Sequence, residues 1–273
     1  MRKYLTTTEL AEKINQNKKQ SIKSFAILPV GCTEQHGPYL PLETDSIIAD
    51  EICLELEGKW DQRFWFWKLP TIPFTSTKTN LNYSGTVSVS ENCFRLYLSE
   101  ICNSIFRSEF DGIFIFCAHG SVYNASSEVA FNMVWEQFDR LERIKRPVIV
   151  YSITQFDEVF TDKTSFNTGQ HADWREFLLL YKLLKNELFN QKKIDELQTF
   201  QKSNEFSYNR SKIFGIPMEK RSVNGVLGDP FPFAKSENIS KLAEDIWNAL
   251  SGLIKSSFVK EIEAFYKLSE ISG

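Results

Sequence analysis

Three histidines are spread over 273 residues, and each lies in a short segment rich in carboxylates or glycine. The segments read Glu34-Gln35-His36-Gly37-Pro38 with Asp45 downstream, Ala118-His119-Gly120, and Gln170-His171-Ala172 followed by Glu176. Imidazole and carboxylate together are what a hydrolytic divalent-metal site is built from. Glu34 and His36 are two residues apart, so on a continuing strand they point to the same side. They can then serve one ion each or both serve one. Gly37 and Pro38 force a turn, and an Asp at position 45 has two oxygens with which to bridge two ions. Five ligands (Glu34, His36, Asp45, His119 and Glu176) over two ions leave positions for water, which a catalytic site needs and a structural one lacks.

Simpler roles fit some of these residues as well. Asp45 suits the N-cap of a helix starting at Ser46. Glu176 in an early helical turn favours the helix dipole whatever else it does, and Asp173 reads as the N-cap of that helix. Cys32 and Cys117 fit small core thiols better than soft ligands. Glu34 has little structural alternative, because a buried carboxylate beside His36 needs a partner.

The elements that position these residues follow from pattern. Thr6-Thr7-Thr8-Glu9 has the form of a capping box, predicting a helix from about Thr7 to Asn15. Ser24 to Val30 is a short apolar run of the kind buried in a parallel sheet. Helical spacing covers Ser46 to Glu57, and Phe64 to Pro70 reads as a second strand. Thr71 to Val89 is polar and irregular, a loop long enough to be functional or mobile. Ser90-Glu91 opens a helix through about Arg107, and Gly112 to Cys117 is the clearest buried strand. A helix from about Asn124 to Leu141, a strand from Pro147 to Ile153 and an apolar helix from Glu176 to Leu184 follow. Asn186 to Lys220 is the least structured by pattern, and Ile239 to Leu268 reads as one long amphipathic helix or two. Strands alternating with helices imply an α/β fold with a parallel sheet covered on both faces. Ligands bind such sheets beyond the carboxyl ends of the strands, where two of the three histidine segments fall. Nothing divides the chain, so residues 1–273 are expected to form a single domain.

Composition narrows the class. The net charge of −3 lacks the basic stripe of a nucleic-acid binder. The dispersed Lys18, Lys19, Lys23, Arg140, Arg143, Lys145 and Arg146 read as solvated faces. No apolar stretch is long enough to span a membrane and the N-terminus has no signal-peptide pattern. Five cysteines without short paired spacing argue against a disulfide framework or a Cys-type zinc module. A cytoplasmic protein with reduced thiols is expected.

The segment from Leu28 to Asp45, Leu-Pro-Val-Gly-Cys-Thr-Glu-Gln-His-Gly-Pro-Tyr-Leu-Pro-Leu-Glu-Thr-Asp, resembles the N-terminal signature of the creatininase (creatinine amidohydrolase) family. That signature usually reads L-P-x-G-S-x-E-Q-H-G-P-H-L-P-L-x-T-D. Cys117-Ala118-His119-Gly120 resembles the family's Asn-Gly-His-Gly-Gly-Asn motif, and His171 to Glu176 resembles its His-Ala-Gly-x-x-Glu-Thr motif. Asn224 to Pro230 with Ala234 resembles its C-terminal Gly-x-x-Gly-Asp-Pro segment. The resemblance implies a three-layer α/β/α sandwich around a mainly parallel sheet, often a homo-oligomer and in particular a hexamer. It implies two divalent ions (zinc, manganese or iron) and hydrolysis of a C–N bond in a small cyclic or linear amide. Glu34, His36, Asp45 and His119 would be ligands, with Asp45 bridging and Glu176 completing the second ion. His171 would stand beside the substrate, which makes His171 and Glu176 the catalytic candidates.

Several positions depart from the pattern. Cys32 stands for serine and Tyr39 for histidine, while Ser121 and Val122 replace Gly-Asn. Ser121 also occupies a position where some members have a metal-binding glutamate. Asp173 stands for glycine and Phe177 for threonine, and Thr77-Lys78-Thr79-Asn80 replaces the family's Ser-x-Glu-His. The five ligand candidates survive these changes, which implies retained metal chemistry on a different substrate. Two ions would acidify a water for attack on the amide carbonyl, and His171 would protonate the leaving nitrogen. Thr77, Ser121 and Trp174 are the expected substrate contacts, with Trp174 either walling the pocket or simply packing. The rival readings are a biosynthetic hydrolase acting on a formamide or modified peptide, and a degenerate homologue that binds metal or a partner without catalysis.

Overall fold

The computed structural model describes residues 4–60, 62–140, 145–166, 171–203, 217–234 and 238–270. The first apolar run forms β1 (Lys23–Val30), buried from its second residue onward. The run from Gly112 to Cys117 forms β4, buried throughout. β1 and β4 pair in parallel, with Val30 level with Cys117. The loops carrying Glu34, His36 and His119 therefore leave the sheet side by side. β3 (Phe64–Lys68) lies parallel on the other side of β1, and β5 (Val148–Ser152) lies parallel to β4. A two-residue strand, β2 (Gly58–Lys59), runs antiparallel at the edge and gives the order β2-β3-β1-β4-β5. Two residues are too few to leave a periodic signal, so β2 is not legible before the fold is known.

Alternation along the strands sorts the core into two halves. Phe25, Ile27, Phe66, Phe114 and Phe116 face one side, where α2 (Thr44–Glu55), α6 (Trp174–Leu184) and α8 (Ile239–Glu270) pack. Ala26, Leu28, Ile113, Ile115 and Cys117 face the other, covered by α1 (Thr7–Lys19), α3 (Glu91–Arg107) and α4 (Tyr123–Asp139). This is the expected three-layer α/β/α arrangement. α8 is one continuous helix because Ala243, Ile246, Trp247, Leu250, Ile254, Phe258 and Ile262 repeat at helical spacing and are all buried. Each fully buried Phe contributes about 1.5–3 kcal/mol, whereas an exposed pair such as Arg140–Glu136 at 2.9 Å contributes at most about 1 kcal/mol. The aromatic core, with Phe258 edge-on to Phe25 and Phe66, therefore sets where the helices sit.

Boundaries differ from expectation in physically readable ways. The Thr6–Glu9 capping box starts α1 as predicted, and the helix continues past Asn15 to Lys19. α2 begins at Thr44 with Glu43 as N-cap, so Asp45 lies inside the first turn and is not the cap. α4 ends at Asp139, and the expected end at Leu141 lies outside the described residues, as do Arg143 and Gln170. Asp173 caps α6 by accepting a hydrogen bond from the Arg175 amide at 3.0 Å. The segment from Asn186 to Lys220, the least structured by pattern, contains α7 (Gln191–Ser203), and its residues 204–216 lie outside the described ones. A short α5 (Asp157–Thr161) follows β5. No helix among the described residues is long and apolar enough to cross a membrane.

Gly31, just after β1, lets the first turn of α2 approach closely: a Cβ there would lie 2.4 Å from Ser46 Cα. That contact is with backbone and cannot be relieved without moving the turn that carries Asp45. Gly31→Ala should therefore destabilise the fold by about 1–3 kcal/mol. Urea unfolding measures this, and an unchanged midpoint would mean that α2 tolerates displacement.

Candidate metal centre

Beyond Val30 the chain turns through Cys32, Thr33 and Glu34, and the Glu34 amide donates to Leu42 O at 3.0 Å. The loop thereby folds back onto itself and presents Glu34 and His36 inward. Glu34 is fully buried, and His36 and Asp45 nearly so. Gly37 adopts φ +68°, a left-handed conformation at which a side chain would also strike Val226. His119 follows β4 directly, and Glu176 sits in the first turn of α6.

The donors converge as two groups that share Asp45. In one, His119 Nδ1 lies 3.2 Å from Glu34 Oε1 and 3.3 Å from Asp45 Oδ2. In the other, His36 Nε2 lies 3.4 Å from Asp45 Oδ1 and 3.7 Å from Glu176 Oε2. Ligands bound tetrahedrally at about 2.0–2.1 Å are separated by about 3.3 Å, so these spacings suit a metal ion. Glu34 Oε1, His36 Nε2, Asp45 Oδ2 and His119 Nε2 are buried without a hydrogen-bond partner. Buried polar atoms are nearly always satisfied, and a cation would satisfy at least the first three. The residues present thus fit a divalent ion.

Surrounding groups hold the donors in register. His36 Nδ1 lies 3.1 Å from the Glu34 carbonyl oxygen, so it carries the proton and leaves Nε2 as a free donor atom. Thr77 donates its hydroxyl to Glu34 Oε2, and Asn80 Nδ2 donates to the same oxygen at 2.6 Å. The Ala172 amide donates to Glu176 Oε2 at 2.8 Å. Ala172 does so at φ 53°, a left-handed conformation that costs a non-glycine residue on the order of 1 kcal/mol. The carboxylates draw positive charge onto the His36 and His119 rings, and a bound cation would take the place of the proton on His36. Burial opposes a charged His36, yet Asp45 and Glu176 hold its pKa up at about 10. Burial likewise pushes Glu34 up, but His119 and His171 hold it down to about 2. Asp45 is held well below the usual carboxylate range by His36 and His119 in spite of its burial. Burial dominates at Glu176 and raises it to about 7.

The third imidazole has a different setting. His171 Nε2 donates to the Gln35 carbonyl oxygen at 2.6 Å, and Nδ1 lies 3.6 Å from Glu34 Oε1. Burial and the neighbouring His36 lower its pKa, which favours a neutral ring. His36 and His171 lie with ring centroids 4.5 Å apart.

A cavity of about 520 Å³ opens onto these groups, lined by Asn80, Ser121, Asp157, Arg175 and Arg221 among others. Of the expected substrate contacts only Ser121 lines it. Thr77 is buried behind Glu34 with its hydroxyl engaged there. Trp174 is fully buried against Phe160, Phe166 and Phe233, so it packs in the core and does not wall the cavity. The structure also places residues that the sequence reading passed over. Gln35 accepts from the Gly37 amide and donates to Asn80 Oδ1 and Gly225 O, which ties three loops together. Asn80 touches both Glu34 and Gln35 from within the long polar loop, and its amide in so irregular a stretch was the available signal.

Comparison with known proteins agrees with this geometry. A family model described as creatininase, creatinine amidohydrolase, matches residues 3–254. A mycofactocin precursor peptide peptidase of Mycobacterium ulcerans (strain Agy99) is 34% identical over 79 residues, which is 27% of this chain and 32% of that protein. The protein of the same description from Mycolicibacterium smegmatis (strain ATCC 700084 / mc(2)155) is 30% identical over 113 residues, 40% of this chain and 45% of its own length. The chain thus spans less than half the length of either relative. Among solved structures, a tryptophan-to-phenylalanine mutant creatininase superimposes with a TM-score of 0.69 at 14% identity, covering 94% of this chain and 96% of that one. A manganese form of creatininase gives 0.65 at 15% identity, covering 93% and 96%. At such identities the likeness is one of fold. The family model is the stronger finding, because it runs from the N-terminus into the middle of α8 and takes in every donor named above; the chain belongs to the creatininase family, as a divergent member.

Proposed function

We propose that the protein is a dinuclear-metal amidohydrolase that cleaves a C–N bond in a small cyclic or linear amide. The observation that carries this reading is Asp45, whose Oδ1 faces His36 and whose Oδ2 faces His119. Glu34, His119 and Asp45 would hold one ion, and His36, Glu176 and Asp45 the other. A creatininase described as a Zn-Zn type has a similar fold, which supports the two-ion reading. Divalent ions so held supply Lewis acidity, polarising a carbonyl and lowering the pKa of water.

The chain's own residues supply the rest. Asn80 and Thr77 fix Glu34 through Oε2 and keep Oε1 turned to the donors. His171 borders the cavity, its Nε2 donates to the Gln35 carbonyl oxygen, and its lowered pKa favours the neutral ring. Its Nδ1 can then accept a proton and pass it to the departing nitrogen, which is a poor leaving group as an anion. Burial of the cluster excludes competing water and strengthens each interaction within it.

A second substrate class has its own support. The partial matches to mycofactocin precursor peptide peptidases favour a modified peptide over a free small amide. A panel containing both small cyclic amides and short peptides separates the two. A protein that retains metal but hydrolyses neither would point to a non-catalytic homologue.

Asp45→Asn should lower metal content more than any other single ligand change, because Asp45 faces both groups. The loss should exceed about tenfold, the lower end of what outer-sphere partners alone contribute, and elemental analysis of purified protein measures it. His171→Ala should leave metal content intact and reduce kcat by about 10²–10⁴-fold. Loss of metal in that variant would instead make His171 a ligand, since Glu34, His36 and His171 also lie within 4.8 Å of one another.

A further inference from the structure

We propose that Cys32 is an additional ligand at the position formed by Glu34, Asp45 and His119, and that it biases this position towards a thiophilic ion such as zinc. The proposal rests on the metal-centre reading above. One donor atom from each of Cys32, Glu34, Asp45 and His119 lies within 4.8 Å of the other three. Cys32 is fully buried, so its sulfur has no access to bulk solvent. Its backbone is pinned from two directions. Ser46 Oγ, in the first turn of α2, donates to Cys32 O at 3.0 Å, and Thr75 Oγ1 donates to Gly31 O at 2.9 Å. The thiol is therefore carried on a fixed stretch of chain between β1 and Glu34.

A buried thiol alone would indicate only packing. What points to an ion is its company: Glu34 Oε1 and Asp45 Oδ2, in the same group, are buried and have no hydrogen-bond partner. Cys117 provides the contrast. It lies at the end of β4, but its sulfur donates to Ser126 Oγ at 3.5 Å and it belongs to the apolar core on the α3 and α4 side. Cys117 also joins none of the donor groups. Of the two thiols near the strand ends, only Cys32 faces the ligands.

The shared site then differs from its partner in softness. Glu34, Asp45, His119 and Cys32 offer oxygen, nitrogen and sulfur, whereas His36, Asp45 and Glu176 offer oxygen and nitrogen only. Thiolate favours zinc over manganese or magnesium. Binding is a proton-for-metal exchange: the S–H bond breaks, the proton leaves to solvent, and the sulfur lone pair forms the bond to the ion. No electron is transferred.

The test is X-ray absorption on the zinc-loaded full-length protein, with metal content measured first. Wild type and Cys117→Ser should each give one zinc–sulfur contact per chain at about 2.3 Å. Cys32→Ser should lose it while keeping its nitrogen and oxygen contacts. In chelator competition Cys32→Ser should retain zinc at least about tenfold less well, with manganese retention unchanged. Wild-type protein that holds zinc with no sulfur contact overturns the proposal, whether or not the variant folds. Wild-type protein that retains no divalent ion sinks the metal-centre reading itself, so the two failures are distinct.

Discussion

Three carboxylates brought together out of water are the constraint around which the rest of the molecule is arranged. Glu34 and Asp45 are almost wholly removed from solvent and Glu176 largely so. Burying even one carboxylate costs several kcal/mol unless something positive answers it. The chain answers in two ways. It interleaves the carboxylates with His36, His119 and His171, whose rings can yield their lone pairs to a cation. It also directs two helix N-termini at the cluster, since Asp45 and Glu176 both sit in the first turns of their helices. Each N-terminus carries about half a positive charge. These contributions moderate the charge without removing it, so the site keeps a strong demand for cations, and that demand suits it to a divalent ion.

Such a cluster must be held rigidly, and the sheet does most of this. Because Val30 and Cys117 are level in adjacent parallel strands, the segments bearing Glu34 and His119 start from neighbouring points and need only a few residues to meet. The remaining precision comes from Gln35, which faces away from the donors. Its side chain is gripped by Gly37, Asn80 and Gly225, and its carbonyl oxygen receives His171. A Cβ on Gly225, which has φ +79°, would collide with the Gln35 amide. One glutamine thus joins the first signature loop, the long polar loop and the segment before α8.

The members of the cluster were legible in the sequence because their chemistry is local: few residue types suit divalent ions, and here they lie in short motifs, two of them after predicted strands. The strands themselves were readable as apolar runs, and α8 as a repeating stripe. What escaped notice depends on distant pairing. Nothing around Gln35 announces that it will meet Asn80, 45 positions later, or Gly225, 190 positions later. Trp174 misled for the opposite reason. It stands two residues from a ligand candidate in a motif, but the helical turn beginning at Asp173 points the indole into the core while Glu176 points to the donors. Neighbours in sequence on a helix need not share a face.

The wall across from the donors follows a different logic. It is assembled from α5, α6 and the segment from Met218 to Leu227, none of which carries the first signature. Arg175 is its most prominent cation, but the guanidinium is already engaged, with Nε on Asp173 and one terminal nitrogen 2.6 Å from Asp157. A cation so paired presents hydrogen-bonding edges to the cavity more than net charge. This wall is tied to the carboxylate cluster: Gly225 within it accepts from Gln35, and α6 carries Glu176 itself.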